Sequence, residues 1–121
     1  MKLGDWQVKV ISAKNPYKST NQFDKPAAGS KYVTTDVQVT NNSSKAGVVS
    51  SMACFKMRDG TGQEYNEAIV TGAPKPPDGD VAPGQTVRGT IAYEVPTTAK
   101  GLLLVFNCDL FSSGSANIAI P

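Results

Sequence analysis

Apolar and polar residues alternate along several separate segments of the chain, and this pattern constrains the fold more than any other feature of the sequence. In one segment Trp6, Val8 and Val10 alternate with polar residues, and the same period of two runs through Val33–Val39. A period of two places successive side chains on opposite faces of an extended backbone. The pattern therefore predicts half-buried β-strands rather than helices.

The composition supports the same prediction. Val, Ile and Thr number 27, whereas Leu and Glu together number eight. β-branched side chains suit the pleated surface of a sheet and are less suited to a helix. The 11 Gly and 8 Pro fall in clusters between the alternating segments, as turn residues do. These features indicate an all-β chain.

Seven segments carry the features of strands, each bounded by turn residues. The sixth is the most apolar, so we expect it in the interior of a sheet. Seven short strands predict an immunoglobulin-like two-sheet β-sandwich, forming a single domain over residues 1–121. The predicted strands are Asp5–Ala13, a segment around Val33–Val39 that closes at Asn41–Ser44, Val48–Arg58, Gln63–Thr71, Thr86–Val95, Gly101–Leu110 and Ala116–Ile120.

Glycines and long connections give more local expectations. The segment Asp59–Gly62 predicts a tight hairpin, because its glycines adopt positive φ readily. Gly89 interrupts a strand pattern, which indicates a bulge or a close contact with another segment. Two connections, Lys14–Ser30 and Gly72–Gly84, are longer than a sandwich needs. Since long loops often carry binding function, we expect a binding site on one of them.

Charge and the absence of histidine exclude several classes of function. The 12 Lys and Arg against 10 Asp and Glu give a net charge of +2, too little for the basic surface that nucleic-acid binding needs. Without His the chain lacks the usual general base at neutral pH and the commonest ligand of zinc and copper. The carboxylates are spread along the chain with no pair that the sequence places across a cleft. We therefore predict no catalytic residue, no cofactor and no enzymatic activity.

Several motifs follow one another in a characteristic order. They are Pro26–Val33, Val37–Asn41, Phe55–Tyr65, Ala82–Gly89 and Tyr93–Pro96. This order resembles a bacterial domain-of-unknown-function family found in cell-envelope lipoproteins and secreted proteins. The fold of that family is similar to the immunoglobulin-like sandwich of the mycobacterial immunoprotective extracellular antigen. The family has no agreed catalytic residues, so the resemblance implies a scaffold rather than an activity.

The resemblance also implies export. We expect an extracellular or envelope-associated location, with the export signal absent from this sequence, because Met1–Trp6 lacks the apolar stretch of a signal peptide. The longest apolar run, Leu102–Phe106, has five residues, far fewer than the roughly twenty of a transmembrane helix. Membrane association would then be peripheral and would require a lipid anchor that this sequence does not contain.

Cys54 and Cys108 are the two cysteines, and the strands that carry them are neighbours in an immunoglobulin-like sandwich. A cross-strand disulfide is therefore one interpretation, and an exported protein with two cysteines commonly pairs them. Strict alternation argues against it, because it places Cys54 on the same face as Lys56 and Arg58. Two buried free thiols, or a reactive or metal-binding thiol, are the alternatives.

Two sets of residues are candidates for binding. The first long connection mixes aromatic and basic side chains that could contact an anionic polymer or an envelope component, although a solvated loop is the alternative. The second could present extended backbone to a partner or act as a rigid connector. The candidate residues are Tyr17, Lys18, Phe23 and Lys25 in the first connection and Pro76 and Pro77 in the second.

Metal binding has only weak candidates. Asp59 and Glu64 flank one glycine-containing turn, and Asp78 and Asp80 flank another, and calcium prefers such oxygen ligands. Neither segment matches the twelve-residue calcium loop, and Asp-Gly is also a common hairpin signal. We therefore predict no metal site and keep these four acids as weak calcium candidates.

The leading functional hypothesis is a non-enzymatic exported domain that acts as a binding or adaptor module through its loops. Its partner would be another protein or an envelope component. The main alternative is a carbohydrate-binding sandwich, which requires at least two coplanar exposed aromatic rings, whereas Trp6 alternates with valines and is expected in the core. We expect a monomer or weak dimer, because the short seventh strand, Ser115–Ile120, leaves a sheet edge with few charges.

Overall fold

The computed structural model describes residues 2–3, 6–107 and 116–120. Within these ranges the chain forms eleven strands and one helical turn. No helix in this part of the chain is both long and apolar enough to cross a membrane. The elements are β1 (Lys2–Leu3), β2 (Trp6–Tyr17), β3 (Ser30–Asn41), β4 (Gly47–Val49), α1 (Ser51–Cys54), β5 (Phe55–Arg58), β6 (Glu64–Tyr65), β7 (Glu67–Ala68), β8 (Gly79–Val81), β9 (Thr86–Pro96), β10 (Leu103–Phe106) and β11 (Ala116–Ala119).

Two antiparallel sheets make up most of the fold. The first has the order β1-β2-β3-β9-β7 and the second the order β11-β10-β5-β6. A small third sheet pairs β4 with β8. Buried residues of both large sheets form one apolar core, so the predicted all-β sandwich is confirmed. Since β10 lies between β11 and β5, the sixth predicted strand is interior to its sheet, as expected.

The core follows from the alternation in the sequence. Val33, Val37 and Val39 of β3 are fully buried, and the intervening residues of the later part of the strand face outward. Phe106 of β10 contacts two other rings, with centroids 5.0 Å from Phe55 and 6.5 Å from Trp6. Trp6 is half-buried against this core, which agrees with the prediction that it contributes to the core.

The predicted third strand is interrupted by a helical turn. Residues 51–54 leave the extended conformation because the Ser50 hydroxyl accepts a hydrogen bond from the Ala53 amide and caps α1. The alternation restarts after the turn, so Cys54 and Phe55 are both buried although they are consecutive. The prediction that Cys54 shares a face with Lys56 is therefore wrong.

The predicted fourth strand, Gln63–Thr71, is two short strands in different sheets. In the second sheet β6 pairs with β5, and in the first sheet β7 pairs with β9. The chain crosses between the sheets at Asn66, the point at which the period of two fails. After this crossover it passes along the edge of β9.

Gly89 is a point of close approach rather than a bulge. The β3–β9 register runs without a shift from Ser30↔Pro96 to Thr40↔Thr86. A Cβ atom at position 89 would lie 2.7 Å from the Lys75 carbonyl oxygen and closer still to the backbone that follows it. Only glycine therefore lets the proline segment, residues 74–77, pack directly on β9.

Candidate functional site

A groove of about 340 Å³ opens where the chain crosses from one sheet to the other. We call it the crossover groove. It is formed by residues 51–52 from α1, residues 67–71 from β7 onward, residues 73–76 of the second long connection, and Asp78, Thr90 and Ala92.

The backbone of two segments builds the walls of the crossover groove along β9. Ala68 of β7 pairs with Ala92, and further along β9 the Thr90 amide donates a 2.9 Å hydrogen bond to the Lys75 carbonyl. Between these points the chain turns, with the Ala73 amide donating to the Val70 carbonyl at 3.1 Å. The groove is therefore held open by backbone hydrogen bonds rather than by mobile side chains.

Large apolar side chains stand exposed at the rim of the groove. Ile69 is 90% exposed and Met52 is 77% exposed, whereas Val70 and Ala92 in the lining are buried together in a small cluster. Exposed apolar residues grouped around a concave surface are typical of a docking site.

Two carboxylates and a serine occupy the polar end of the groove. The Ser51 amide donates a 2.6 Å hydrogen bond to Asp78, and the Ser51 hydroxyl lies 2.9 Å from both Glu67 carboxylate oxygens. Burial raises the pKa of Glu67, and the negative charge of Asp78 raises it further, against the opposing hydrogen bond from Ser51. The sequence did not predict this convergence of two acids.

Tyr93 of β9 belongs to the apolar core and does not line the groove, but it is adjacent to one of the two acids. It is opposite Glu67 in the β7–β9 pairing, and its hydroxyl is buried without a hydrogen-bond partner in the described part of the chain. Burial, and after it the charge of Glu67, raises the pKa of Tyr93. The Tyr93 hydroxyl is therefore a buried hydrogen-bonding group that has no partner among the described residues.

The first long connection is fixed to the second by Asp24. Its carboxylate accepts hydrogen bonds from the Ser19 hydroxyl at 2.6 Å, the Gly72 amide at 2.7 Å and the Thr71 amide at 3.1 Å. These bonds, with that from Ser19 the strongest, lower the pKa of Asp24 to about 2. The Tyr17 hydroxyl also donates to the Gly72 carbonyl at 3.1 Å. The two predicted binding loops are therefore joined next to the crossover groove.

The structure separates the predicted binding residues. Pro76 lines the crossover groove, whereas Pro77 is buried and packs toward Gly89. Tyr17 and Lys18 line a different cavity of about 300 Å³. Phe23, which is 85% exposed, and Lys25, also exposed, line neither cavity.

Sequence reasoning missed the residues that define the groove, Met52, Ile69 and Glu67. The one signal that pointed to them was the break in alternation at residues 66–68. That break marks the crossover between the sheets.

The four weak calcium candidates are not brought together. Asp59 accepts hydrogen bonds from its own hairpin, Glu64 pairs with Arg58, Asp78 bonds to the Ser51 amide, and Asp80 is exposed in β8. Within the described ranges no group of three or more His, Cys, Asp or Glu residues could hold a metal ion.

The predicted hairpin is present, and Asp59 organises it. The Asp59 amide donates to the Gln63 carbonyl at 2.9 Å, and its carboxylate accepts hydrogen bonds from the Thr61 and Tyr65 hydroxyls, both at 2.7 Å. These two hydroxyls, with that of Thr61 contributing most, lower the pKa of Asp59 from 3.8 to about 2.

Asp59 should contribute to the loss of stability in acid. Its folded pKa is below its unfolded value, so its contribution is complete above about pH 4 and is lost as the pH falls toward 2. In Asp59→Asn we expect a flatter dependence of the thermal midpoint on pH over this interval. The control Asp80→Asn, which replaces an exposed acid, should keep the wild-type slope. If the thermal midpoint of Asp59→Asn fell with pH as steeply as that of the wild type, Asp59 would not contribute to acid unfolding.

Cys54 lies near the end of β10. It is 6% exposed, and its carbonyl accepts a 2.9 Å hydrogen bond from the Asn107 amide. Cys108 lies outside the described residues. The Cys54–Cys108 disulfide therefore stays a prediction.

The sheet order and the shared core define an antiparallel β-sandwich protein with a groove at one sheet-to-sheet crossover. The chain belongs to the family described as "Domain of unknown function (DUF4352)", whose model matches residues 1–118. The resemblance in the sequence motifs is thus confirmed. No significant match to the chain is found among curated proteins.

Solved structures share this fold at low sequence identity. The yjhA protein of Bacillus subtilis is 18% identical, with a TM-score of 0.74 over 100% of this chain and 95% of its own. The candidate lipoprotein ycdA of B. subtilis is 18% identical, with a TM-score of 0.73; the match covers 95% of this chain and only 36% of ycdA. The secreted protein MPT63 of Mycobacterium tuberculosis is 14% identical, with a TM-score of 0.52 over 93% of this chain and 77% of its own.

Proposed function

We propose that this chain is a non-enzymatic binding module of a cell-envelope or secreted protein and that the crossover groove is its binding site. The location is supported by the similarity in fold to a candidate lipoprotein and a secreted protein. The partner is another protein or an envelope component. Monomer or weak dimer remains the expected assembly, because β11 ends its sheet within the described residues.

The exposure of Ile69 and Met52 carries the proposal. A polar side chain at either position would leave the packing of the core unchanged, since neither residue belongs to the core. They stand beside a groove whose walls are fixed by the Thr90–Lys75 hydrogen bond and by the absence of a side chain at Gly89. A rigid concave surface with apolar rims reduces the entropic cost of binding.

The aromatic residues give less support to a carbohydrate-binding sandwich. Trp6, Tyr17 and Tyr65 are half-buried and Tyr93 is fully buried. Phe23 is the one strongly exposed ring in the part of the chain that the structure describes. Two coplanar exposed rings, which sugar stacking would require, are not formed there.

The acid pair is the observation that favours a second candidate function, acid–base hydrolysis. Glu67 and Asp78 meet at Ser51, and the raised pKa of Glu67 suits a general acid. Binding is the better-supported function, because both carboxylates already accept hydrogen bonds that join α1 to β7 and to the second connection. Turnover of generic glycoside or ester substrates that is lost in Glu67→Gln would favour the hydrolase instead.

A displayed peptide library tests the binding function. We expect peptides selected on the wild-type protein to lose affinity by about tenfold or more in Ile69→Ser or Met52→Ser, because large apolar side chains that a ligand covers can carry much of the binding energy. Val48→Ser is the matched control, since Val48 is 63% exposed and lies outside the groove. No enriched peptide, or binding that is indifferent to the groove variants, would contradict the proposal.

A further inference from the structure

One wall of the crossover groove contains a turn that has little support from its own backbone. The wall begins at β7, which pairs with β9, and ends at Lys75, whose carbonyl accepts a hydrogen bond from the Thr90 amide. Between these fixed ends, residues 70–73 have one backbone–backbone hydrogen bond in the described structure, the 3.1 Å bond from the Ala73 amide to the Val70 carbonyl. The position of the turn must therefore depend on other contacts.

The first long connection supplies these contacts. Asp24 Oδ1 accepts hydrogen bonds from the Thr71 amide at 3.1 Å and the Thr71 hydroxyl at 3.0 Å, and Asp24 Oδ2 accepts one from the Gly72 amide at 2.7 Å. The side-chain amide of Asn21 donates to the Thr71 hydroxyl at 2.7 Å, and the Tyr17 hydroxyl donates to the Gly72 carbonyl at 3.1 Å. Five hydrogen bonds from one connection thus converge on two residues of the wall.

The absence of a side chain at Gly72 is a second observation, independent of these hydrogen bonds. A Cβ atom at position 72 would collide with the Ser19 hydroxyl oxygen. It would also lie 3.2 Å from both the Asn21 amide nitrogen and Asp24 Oδ2. Glycine therefore lets the first connection lie directly against the wall.

The first connection also fixes its own conformation where it meets the wall. The Ser19 hydroxyl donates to Asp24 Oδ2 at 2.6 Å and accepts a hydrogen bond from the Asn21 amide at 3.1 Å. The Asp24 amide donates to the Asn21 carbonyl at 3.0 Å, which closes the turn. Hydrogen bonds between side chains and nearby backbone stabilise such turns. We call Ser19, Asn21 and Asp24 the clasp, because they hold both their own turn and the wall.

The wall that the clasp holds carries the exposed apolar residue at the rim of the groove. Val70 is buried against Tyr32 and Ala92, whereas its neighbour Ile69 is 90% exposed. Because the two residues are consecutive, the burial of one and the exposure of the other both depend on the position of the turn. A displacement of the turn would also move Ile69 relative to Met52, which belongs to α1.

We propose that the clasp holds the wall of the crossover groove in the position that binds ligand, with Asp24 as the positioning residue. Asp24 does not line the groove and acts through Thr71 and Gly72, which follow Ile69 directly. This inference rests on the proposed binding function and adds to it the regulation of the same site. When the clasp is open, only a fraction of the molecules is ready to bind, and the apparent affinity falls by that fraction.

Two variants open the clasp. In Asp24→Asn the side-chain NH2 group faces a donating backbone amide, that of Thr71 or that of Gly72, in either orientation, so hydrogen bonds to the wall are lost. Ser19→Ala removes the 2.6 Å hydrogen bond that holds the Asp24 carboxylate. Asp80→Asn is the matched control, since it makes the same change at an exposed acid outside the groove. Thermal unfolding verifies that each variant is folded, and Ser19→Ala serves if Asp24→Asn is not.

Amide hydrogen exchange followed by NMR tests the positioning without a ligand. The Ala73 amide is the informative group, because it donates to the Val70 carbonyl and not to the clasp. We expect it to exchange about tenfold faster in both clasp variants, since the turn opens locally more often. The Thr90 amide, at the fixed end of the wall, should exchange at the wild-type rate. An unchanged rate at Ala73 would overturn the proposal, because the wall would then keep its position without the clasp.

The binding kinetics of a library-selected peptide distinguish positioning from direct contact. We expect both clasp variants to slow association by about fivefold and to leave dissociation near the wild-type rate, because fewer molecules hold the wall ready. Ile69→Ser should instead speed dissociation, since it removes a contact from the complex. Clasp variants that speed dissociation while association is unchanged, or that bind as the wild type does, would overturn the positioning role of Asp24.

The two proposals fail in different ways. Unchanged exchange at Ala73 together with wild-type association would overturn the clasp, while library peptides that depend on Ile69 and Met52 still upheld the binding site. If no library peptide depends on Ile69 or Met52, the proposed function fails, and exchange at Ala73 alone then decides whether the clasp positions the wall.

Discussion

Replacing Gly89 by alanine should lower the free energy of unfolding by about 3 kcal/mol, a typical cost of forcing an atom into a packed site. The added Cβ would lie 2.7 Å from the Lys75 carbonyl oxygen and closer still to the Pro76 and Pro77 backbone. Backbone cannot rotate away as a side chain can, so the proline segment must lift off β9. Chemical denaturation with linear extrapolation measures the effect.

The control for this experiment is Gly84→Ala. Gly84 has a φ of 78°, and a Cβ there would meet no atom within 4 Å. Gly84→Ala should therefore lower the free energy of unfolding by only about 1 kcal/mol, because glycine adopts this positive φ more readily than alanine does. Within a strand a glycine-to-alanine change is ordinarily neutral or stabilising, so a Gly89→Ala variant as stable as the wild type would show that the proline segment does not pack on β9.

Reduction of a Cys54–Cys108 disulfide should lower the free energy of unfolding by about 3 to 4 kcal/mol and the thermal midpoint by on the order of 10 °C. The bond would close a loop of about 55 residues, and restriction of the unfolded chain grows with loop length. Differential scanning calorimetry with and without a reductant measures the change.

The paired variant Cys54→Ser/Cys108→Ser separates loss of the cross-link from other effects of the reductant. It should unfold near the reduced wild-type midpoint and be insensitive to reductant. Two titratable thiols in the unreduced, denatured wild-type protein would contradict the disulfide. That result would leave the sandwich intact, because the fold rests on the strand pairing and the shared core.

The large sheets could be predicted from the sequence because their strands obey one simple rule. In β3 the valines at 33, 37 and 39 are buried as the period of two requires, and β9 follows the same rule with Ile91 and Tyr93. The Asp59–Gly62 hairpin was also predictable, since its conformation depends on residues within the turn.

The elements around the groove were not predictable because they depend on contacts distant in sequence. The helical turn α1 is fixed partly by the Ser51–Asp78 hydrogen bond, which spans 27 residues. β8, at Gly79–Val81, is too short to show a period and exists through its pairing with β4. The exposure of Ile69 follows from the crossover at Asn66, which the local pattern shows only as an irregularity.

For the same reason only part of the candidate site could be predicted from the sequence. Pro76 of the second connection lines the groove, and Asp24 joins the two connections beside it. Whether Pro76 takes part in binding stays a prediction. In the sequence Glu67 is one of ten carboxylates spread along the chain, and nothing there marks it as part of a site. Its partial burial, its hydrogen bonds to Ser51 and its neighbour Tyr93 appear only when the two sheets are brought together.

Mapping of amide chemical shifts with a library-selected peptide tests the binding site most directly. We predict that the perturbed amides cluster at residues 51–52 and 67–71 and at Ala73, Lys75 and Asp78, which surround the crossover groove. The Val48→Ser control should give the same map, and Ile69→Ser should erase it. A map centred instead on Tyr17 and Lys18, around the other cavity, would contradict the assignment of the binding site to the crossover groove.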